Sequence, residues 1–288
     1  MIPVAFEYSR ATSVDEAISL LAASDGSAKV LAGGHSLLPL MKLRLARPER
    51  LIDIGRLDEL RGVRQLSSGR VAIGALTTYD ELMRSEVIGH YGLMNDALPN
   101  IGDVQVRNRG TIGGSVVHVD PASDMPAVLL ALGADLLTRS PRGERTIPIG
   151  EFMTGPFTSV LEPDELLLEI QIPGGMPGFG SAYRNIEQPA SGYSIAGAAA
   201  IVGREPGRSG PWDVISIAIT GVGEIPYRAT AVEEALRGGA SPAEASAHAS
   251  DGQTVNSDIH ADAIYRAHVA TVQVRRALET AIERASEG

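Results

Sequence analysis

The stretch Ala32-Gly33-Gly34-His35-Ser36 contains a glycine pair, and a second pair follows at Thr111-Ile112-Gly113-Gly114-Ser115. Each pair follows an apolar stretch and is flanked by hydroxyl side chains. Glycine allows positive φ and brings the backbone close to a ligand, because no Cβ atom is in the way. Successive free N–H groups in such a turn form a concave anion site. Two such loops are enough to hold a diphosphate, so the sequence predicts a dinucleotide or a flavin nucleotide as ligand.

Other nucleotide-binding patterns do not occur near these pairs. No G-x-G-x-x-G opens a helix after the first predicted strand, and no G-x-x-x-x-G-K-[ST] is present. A Rossmann fold and a P-loop are therefore not supported. A tight turn without a ligand is the alternative interpretation of each glycine pair.

The composition limits the class of function. At 288 residues the chain is long enough for two domains. Its net charge of -10 argues against a nucleic-acid partner, because affinity for nucleic acid comes from neutralised phosphates. The chain has no cysteine, so any cysteine-ligated iron–sulfur cluster must lie on a partner chain. Neither a basic, apolar leader nor a transmembrane segment is recognisable, which predicts a cytoplasmic protein.

The first half of the chain has the pattern of mixed α and β structure. A capping-box pattern at Ser13 and Glu16 predicts a helix that runs to about Ala23. The other predicted elements of the first unit are strands at 4–8, 29–31 and 51–54 and a helix at 37–45. This order predicts a small parallel β-α-β unit. The elements predicted after it are hairpins at 63–74 and 135–149, helices at 78–81, 87–98 and 124–132, and a strand at 165–172.

Residues 173–178 are the best candidate for a linker, and the pattern changes after them. Three strand-like runs follow, at 179–186, 193–202 and 213–220. Helices come next, with capping patterns at Thr230–Glu233 and Ser241–Glu244. The last predicted helix runs from about Asp258 to Ala285, with one apolar face formed by Ile264, Thr271, Val274, Leu278 and Ile282. We predict a second α+β domain from this pattern.

Polar residues around the second glycine pair are candidates for ligand contact. The segment 120–126 contains Asp124, which either belongs to a helix start or accepts a hydrogen bond from a ribose hydroxyl. Arg107 and Arg109 precede the glycine pair. They are candidates for phosphate binding, although a structural role or a subunit contact is the preferred interpretation.

Histidine and serine spacing gives no pattern for metal or hydrolytic chemistry. His118 and His260 each begin an H-x-D pair, but neither pair supplies the three or four converging ligands of a metal site. We therefore expect no metal and assign no catalytic residue to this chain. His35 lies inside the first glycine loop, where we expect it to shape the loop or contact the ligand.

Taken in order, these motifs resemble the FAD-binding medium subunit of molybdenum hydroxylases. That family includes aerobic carbon monoxide dehydrogenase, xanthine dehydrogenase and bacterial N-heterocycle dehydrogenases. The resemblance extends over nearly the whole chain. Besides the two glycine pairs, it rests on Leu37-Leu38-Pro39-Leu40-Met41-Lys42, Gln105-Val106-Arg107-Asn108, Tyr265-Arg266-Ala267-His268 and Val274-Arg275-Arg276-Ala277-Leu278.

The resemblance implies a fold and a set of site residues. The fold is α+β: an FAD-binding domain of the vanillyl-alcohol-oxidase type over 1–175, in subdomains of about 1–56 and 57–175, then a C-terminal domain over 176–288. In the C-terminal domain a three-stranded antiparallel sheet accompanies a helical bundle. Residues 32–36 and 111–115 would wrap the FAD diphosphate. Ile101 would cover the adenine, Asp124 would bind a ribose hydroxyl, and Tyr193 would lie near the isoalloxazine.

Two positions depart from the family pattern. Ser115 stands where many members have asparagine, which changes the hydrogen bonding available there. The run Ser194-Ile195-Ala196-Gly197-Ala198 lacks the lysine that the xanthine dehydrogenase branch places near the flavin. The second departure indicates the carbon monoxide dehydrogenase-like branch.

The family implies an electron-transfer subunit in a dimer of heterotrimers. A large subunit would carry molybdopterin, and a small subunit would carry two [2Fe-2S] clusters. FAD on this chain would take electrons from the clusters and pass them to an external acceptor, with carbon monoxide as the first expected substrate of the complex. The alternatives are a medium subunit of an N-heterocycle dehydrogenase for nicotine, quinoline or xanthine, a stand-alone FAD oxidase, and a non-redox nucleotide-binding scaffold.

Overall fold

The computed structural model of the chain describes residues 2–175, 178–204 and 212–287. Within these ranges the chain forms three main sheets, each built from a consecutive part of the sequence, and a small two-stranded ribbon. Residues 176 and 177 of the predicted linker lie outside the described residues. Helices accompany each sheet, so the predicted α+β class is confirmed.

The first sheet is parallel and has the strand order β1-β3-β2. Its elements are β1 (Glu7–Arg10), α1 (Val14–Ala22), β2 (Ala28–Leu31), α2 (Leu37–Lys42) and β3 (Arg50–Asp53). Parallel strands need crossover connections, which α1 and α2 supply. The predicted β-α-β unit is confirmed, and the first glycine pair follows the carboxyl end of β2.

The second sheet is antiparallel and has the strand order β4-β5-β10-β6-β7. Its strands are β4 (Val63–Gln65), β5 (Val71–Gly74), β6 (Asp135–Ser140), β7 (Gly143–Pro148) and β10 (Leu166–Ile172). The ribbon consists of β8 (Met153–Gly155) and β9 (Thr158–Ser159). Both predicted hairpins, β4–β5 and β6–β7, are confirmed.

Six helices accompany the second sheet in the described residues. They are α3 (Tyr79–Met83), α4 (Gly92–Ala97), α5 (Val104–Arg109), α6 (Ile112–His118), α7 (Asp124–Leu132) and α8 (Ile149–Phe152). Short 3-10 turns at Ile88–His90 and Leu98–Asn100 divide the region predicted as one helix over 87–98. Every residue of α7 is buried, as the apolar sequence that follows its first residue, Asp124, predicts for a core helix.

The third sheet is antiparallel and has the order β11-β12-β13-β14. Its strands are β11 (Phe179–Glu187), β12 (Ser194–Gly203), β13 (Val214–Thr220) and β14 (Tyr227–Arg228). The predicted three strands form, but the prediction of a three-stranded sheet is wrong because β14 adds a fourth. A strand of two residues is too short to show the alternating pattern by which strands are recognised.

The third sheet is covered on both faces. Helices α9 (Thr230–Arg237), α10 (Pro242–Ser246) and α11 (Ala263–Glu287) pack over one face in a shared apolar cluster. The opposite face contributes Tyr183, Ala199, Ile201 and Ala218 to the cluster that contains α7. The predicted helical bundle is therefore a helical layer on the sheet, with α11 packed along β11 and β12.

Three predicted capping carboxylates have other partners in the structure, and one of the three helices, α11, begins well after its predicted start. Glu16 accepts hydrogen bonds from Thr12 instead of completing a capping box with Ser13. Glu233 accepts from the Ile217 N–H at 2.9 Å instead of capping α9. Asp258 accepts from the N–H groups of the next turn, so α11 begins five residues later than predicted, at Ala263. The capping box at Ser241 and Glu244 is confirmed.

Candidate functional site

A single cavity of about 860 Å³ collects the predicted site residues. Its size falls within the range of small-molecule and cofactor sites. All of the predicted site residues line it except Ile112. Ile112 is fully buried in the core, and its N–H donates to the Thr77 carbonyl oxygen at 3.0 Å. Whether the lining residues contact a cofactor stays a prediction.

The first glycine loop presents its backbone to this cavity. Gly34 has φ of 78°, a conformation that favours glycine. The N–H groups of Gly33, Gly34, His35 and Ser36 donate no hydrogen bond within the described part of the chain. The Nδ1 atom of His35 lies 3.0 Å from the Gly33 carbonyl oxygen, so this side chain shapes the loop. Four successive N–H groups are thus without a partner in the described residues, and that they bind an anion stays a prediction.

The two glycine-containing segments touch each other at Gly33. A Cβ atom added to Gly33 would lie 2.0 Å from the carbonyl oxygen of Arg109, which is closer than any side chain tolerates. Glycine at this position is therefore required by the approach of two backbone segments. This contact closes one wall of the cavity without help from a ligand.

The second glycine pair differs from the prediction. Gly113 and Gly114 lie in the first turn of α6, and neither has positive φ. The Gly113 N–H donates to the Ala75 carbonyl oxygen at 3.0 Å, and the Gly114 N–H donates to Oγ1 of Thr111 at 3.2 Å. The prediction of free N–H groups at this pair is therefore wrong. Instead, Gly113 allows close packing, because an added Cβ would lie 2.6 Å from Ala75.

Gly114 has an open side that faces the cavity. It is exposed, and the nearest atom to an added Cβ is the Thr111 hydroxyl oxygen at 2.8 Å. The neighbouring Ser115 shares a hydrogen bond of 2.7 Å with the hydroxyl of Ser123. This side of the cavity thus offers hydroxyl groups and space for a ligand, while the first loop offers N–H donors.

Asp124 is a buried carboxylate in the cavity wall. Its Oδ1 atom accepts hydrogen bonds from Ser194 at 2.5 Å and from the hydroxyl of Tyr183. Burial raises the pKa of Asp124 to about 6, although these two hydrogen bonds oppose the increase. Ser123 is the residue before α7, but its hydroxyl bonds to Ser115 and does not cap the helix.

Aromatic side chains form part of the remaining wall. Burial raises the pKa of Tyr79, so its hydroxyl stays protonated. Partial burial raises the pKa of the Tyr193 hydroxyl, and the charges of Asp120 and Asp124 add to the increase, although 43% of the residue is exposed. The His118 ring lies 5.1 Å from the Phe157 ring, and burial lowers the pKa of His118. The wall therefore combines stacking surfaces with neutral polar groups.

Lys29 and Tyr79 are among the lining residues that the sequence does not single out. Lys29 lies on β2, just before the first glycine loop, and has no acidic partner among the described residues. No local signal identifies it, because side chains in a strand stand roughly perpendicular to the sheet, whatever the following loop binds. Tyr79 begins α3 and packs against Gly110, a contact between distant segments that no local pattern reveals.

The two arginines before the second glycine pair have different surroundings. Nη1 of Arg107 donates to the carbonyl oxygens of Pro99, Ile101 and Gly102 at 3.1, 3.0 and 2.8 Å. The preferred structural interpretation is confirmed for Arg107, which fixes the loop that contains Ile101. Arg109 is exposed and makes no ion pair within the described ranges.

The described residues contain neither a cluster of metal ligands nor a membrane-spanning helix. No group of three or more His, Asp or Glu side chains is arranged to hold a metal ion there. None of the described helices combines the length and apolar character needed to cross a membrane.

Comparison with known families identifies the family of the chain. Residues 4–175 match the family described as the FAD binding domain in molybdopterin dehydrogenase. The chain belongs to this family. Residues 181–281 match the CO dehydrogenase flavoprotein C-terminal domain. The resemblance drawn from the glycine motifs is thereby confirmed, and the chain is an FAD-binding oxidoreductase subunit.

Relatives match the chain along its whole length. The carbon monoxide dehydrogenase medium chain of Hydrogenophaga pseudoflava is 40% identical over 98% of both chains. A subunit of the 6-hydroxypseudooxynicotine dehydrogenase complex of Paenarthrobacter nicotinovorans is 38% identical over 99% of this chain and 97% of its own length. A solved structure of the Hydrogenophaga pseudoflava carbon monoxide dehydrogenase superposes with a TM-score of 0.94, covering 99% of each chain at 40% identity.

The residues present suit FAD. The cavity is large enough for much of a dinucleotide, and unbonded N–H donors from Gly33 to Ser36 stand at one side of it. The chain's net charge is -10, so local donors rather than a general positive field must hold the diphosphate. Aliphatic side chains such as Leu40 and Ile101 supply apolar walls for the ring systems.

Proposed function

We propose that this chain is the FAD-carrying electron-transfer subunit of a heterotrimeric molybdenum hydroxylase. The observation that carries the proposal is the cavity whose wall includes four successive unbonded N–H groups, from Gly33 to Ser36. FAD supplies the redox chemistry when bound, and the protein supplies binding, orientation and electrostatics.

The site residues have distinct proposed roles. The N–H groups of the first glycine loop bind the diphosphate, and Lys29 adds a positive charge beside them. The hydroxyl of Ser115 and the open side of Gly114 face the diphosphate from the other segment. Ile101 covers the adenine, Asp124 accepts a hydrogen bond from a ribose hydroxyl, and Tyr193 lies near the isoalloxazine.

The family's division of the chain is part of the proposal. The first and second sheets would be the two subdomains of a vanillyl-alcohol-oxidase-type FAD domain, with boundaries near residues 56 and 175. The C-terminal domain would begin at 176. The separate sheets and the two matched families support this division. The cytoplasmic location stays a prediction from the sequence.

The other cofactors would belong to partner subunits in a dimer of heterotrimers. A large subunit would hold molybdopterin, and a small subunit would hold two [2Fe-2S] clusters. Two observations support this assignment: the chain has no cysteine to ligate iron, and the relative's structure is named for a molybdenum cofactor. Electrons would leave this chain for an external acceptor.

Carbon monoxide is the proposed substrate of the whole complex. The Hydrogenophaga relative and its structure support this choice. The 38% identity to the 6-hydroxypseudooxynicotine dehydrogenase subunit supports an N-heterocycle as the second candidate. The substrate would bind to the large subunit, and this chain would receive only its electrons.

Purification of the complex by a tag on this chain tests the proposed function. We expect FAD, iron and molybdenum together, and loss of the flavin absorbance when carbon monoxide is added without oxygen. Loss with nicotine or quinoline alone would favour the N-heterocycle dehydrogenase. A chain that oxidises a small alcohol without partners, or one that contains no flavin, would contradict the proposal.

A further inference from the structure

Two hydroxyl groups of the third sheet converge on one oxygen of the cavity wall. Tyr183 on β11 and Ser194 on β12 both donate hydrogen bonds to Oδ1 of Asp124, the first residue of α7. Both donors are buried, so bulk water does not compete for either hydroxyl. Asp124 lines the cavity, and no other residue in the described ranges donates a hydrogen bond to its Oδ2 atom. Oδ2 is therefore the oxygen that remains for a ligand.

A third side chain fixes the direction of the Ser194 hydroxyl. Nδ2 of Asn185, on β11, donates to Oγ of Ser194 at 3.0 Å, and Ser194 in turn donates to Asp124 at 2.5 Å. An ionised carboxylate can only accept, so the hydrogens of the serine and tyrosine hydroxyls both point to Asp124. The polar side chains on β11 and β12 thus form a network in which each donor has an acceptor.

The same sheet holds the backbone that leads into Asp124. Oγ1 of Thr220, the last residue of β13, donates to the carbonyl oxygens of Pro121 and Ser123 at 2.9 and 2.8 Å. The Gly221 N–H donates to the Pro121 carbonyl oxygen at 2.8 Å. The start of α7 and the carboxylate on it therefore depend on a sheet to which neither belongs.

We propose that Tyr183 and Ser194 are positioning residues of the cofactor site. They hold Oδ1 of Asp124, so that Oδ2 is presented in a fixed direction to a donor hydroxyl of the ligand. This inference rests on the proposed function, which assigns FAD to the cavity. A carboxylate held by two donors needs no ordering when the ligand arrives, so less of the binding free energy is lost as entropy.

Stability alone does not account for a carboxylate at this position. Burial raises the pKa of Asp124 to about 6, so a charge kept there at neutral pH without a ligand costs free energy. An apolar side chain would fill the start of a buried helix at lower cost. The network instead holds a costly group in one orientation in the wall of the cavity.

Removal of one hydroxyl tests the positioning role. We expect Tyr183→Phe to raise the Kd for FAD about tenfold, because Oδ1 of Asp124 loses one of its two donors. Fluorescence titration of the FAD-free protein, with the partners that purify with it, measures this Kd. Tyr227→Phe is the matched control, since buried Tyr227 donates from the same sheet to the Ala249 carbonyl oxygen at 2.9 Å. The Kd of the control should stay within about twofold of wild type.

Ser194→Ala gives a second test on a smaller side chain, with Ser216→Ala as its control. Oγ of Ser216 donates to the Ala131 carbonyl oxygen at 2.6 Å, so the control also loses a buried hydrogen bond between the sheet and α7. We expect a tenfold higher Kd, about the same as for Tyr183→Phe, in Ser194→Ala and not in its control. Wild-type affinity in Ser194→Ala or in Tyr183→Phe would overturn the inference while the proposed function stands.

A double-variant cycle separates positioning from a general loosening of the protein. In an Asp124→Ala background, Tyr183→Phe should change the Kd by less than about twofold, because no carboxylate is left to position. Additive effects of the two substitutions would contradict the inference. A wild-type protein that binds no FAD would contradict the proposed function as well.

The pH profile of FAD binding gives a second independent measurement. The Kd should rise as pH falls through the pKa of Asp124, because the protonated carboxyl is the weaker acceptor. Tyr183→Phe should move this rise to higher pH, since the lost hydrogen bond lowers the pKa of Asp124. A profile with an unshifted midpoint would contradict the inference. Both proteins retain the other ionisable side chains around this site, which are Tyr79, Asp120, Glu187 and Tyr193.

Discussion

The hydroxyl of Ser194 donates a hydrogen bond of 2.5 Å to Oδ1 of Asp124, joining the first residue of β12 to the first residue of α7. Tyr183, on β11, donates to the same oxygen. Gly197 makes room for this tyrosine, because an added Cβ would lie 2.1 Å from its hydroxyl oxygen. The third sheet thus fixes the position of a carboxylate in the cavity wall.

This buried carboxylate predicts a pH dependence of stability. Burial raises the pKa of Asp124 from 3.8 to about 6 in the folded state. The stabilising effect of the bound proton is fully present below about pH 4 and is lost as pH rises through 6. Above pH 6 the buried charge should therefore cost the FAD-free wild-type protein up to about 3 kcal/mol of unfolding free energy.

The variant Asp124→Asn checks this dependence by urea unfolding of the FAD-free protein from pH 4 to 7.5. We expect the unfolding free energy of the variant, relative to wild type, to increase as pH rises through this range. Glu151→Gln is the control, since Glu151 is exposed and makes no ion pair in the described residues. A difference between Asp124→Asn and wild type that stays constant with pH would contradict the prediction.

Two glycine substitutions should separate folding from cofactor binding. Gly33→Ala places a Cβ atom 2.0 Å from the Arg109 carbonyl oxygen and should cost about 3 kcal/mol or more of unfolding free energy. Gly114→Ala gains helix propensity and approaches only the Thr111 hydroxyl, so its stability should stay within about 1 kcal/mol of wild type.

A substitution at Gly114 should weaken FAD binding although it hardly changes the stability of the protein. Gly114→Ala fills space on the ligand side, so the Kd for FAD should rise about tenfold at nearly unchanged stability. Fluorescence titration of the FAD-free protein measures this affinity. Gly89→Ala is the control, because an added Cβ there meets no atom within 4 Å. Wild-type affinity in Gly114→Ala would remove α6 from the proposed diphosphate site.

Substitution of Arg107 should destabilise the protein more than substitution of Arg109, although the two residues are only two positions apart. Arg107→Ala leaves three carbonyl oxygens without their charged donor and should lower the unfolding free energy by about 2 kcal/mol. Arg109→Ala removes an exposed side chain and should change it by about 0.5 kcal/mol or less. Urea unfolding of both variants measures the contrast, and equal effects would contradict the structural role of Arg107.

Arg266 should be a major determinant of stability in the C-terminal part of the chain. It is 4% exposed, and its Nη1 atom donates to the carbonyl oxygens of Ile195 and Gly221 at 2.8 and 2.7 Å. It also pairs with Asp258 at 2.5 Å. Arg266→Met should cost about 3–5 kcal/mol, because these acceptors lose their partner. Thermal unfolding beside the exposed control Arg276→Met measures this, and a similar Tm in both would contradict it.

Much of the candidate site could be predicted from the sequence. The glycine pairs, Ile101, Asp124 and Tyr193 come from distant positions, yet the structure brings them to one cavity. Residue patterns alone indicate the glycine pairs and Asp124, whereas Ile101 and Tyr193 follow only from the resemblance to a family. Apolar runs and turn residues, which are local signals, predict β1 to β3 and the two hairpins.

The physical reasons for individual residues could not be predicted in the same way. Gly113 is required by contact with Ala75 and Gly33 by contact with Arg109, so neither glycine is explained by its own backbone conformation. Such requirements depend on segments far away in the sequence. The second glycine pair therefore looked like a loop with free donors, although it forms the start of a helix.

Charged partners account for most of the misplaced helix ends. Asp258 was predicted to start the last helix, but its carboxylate binds turn N–H groups and the buried Arg266. Ile264 was placed on the buried face of that helix, yet it lies in the first turn and is 84% exposed. Helical spacing predicts the buried residues correctly only along the part of a helix that packs against a sheet.

A crystal structure of the chain with FAD tests the central claim most directly. The account predicts density for the diphosphate in the cavity, with its oxygens within hydrogen-bond distance of the N–H groups from Gly33 to Ser36. Density for FAD elsewhere on the protein, with those N–H groups bonded only to water, would contradict it.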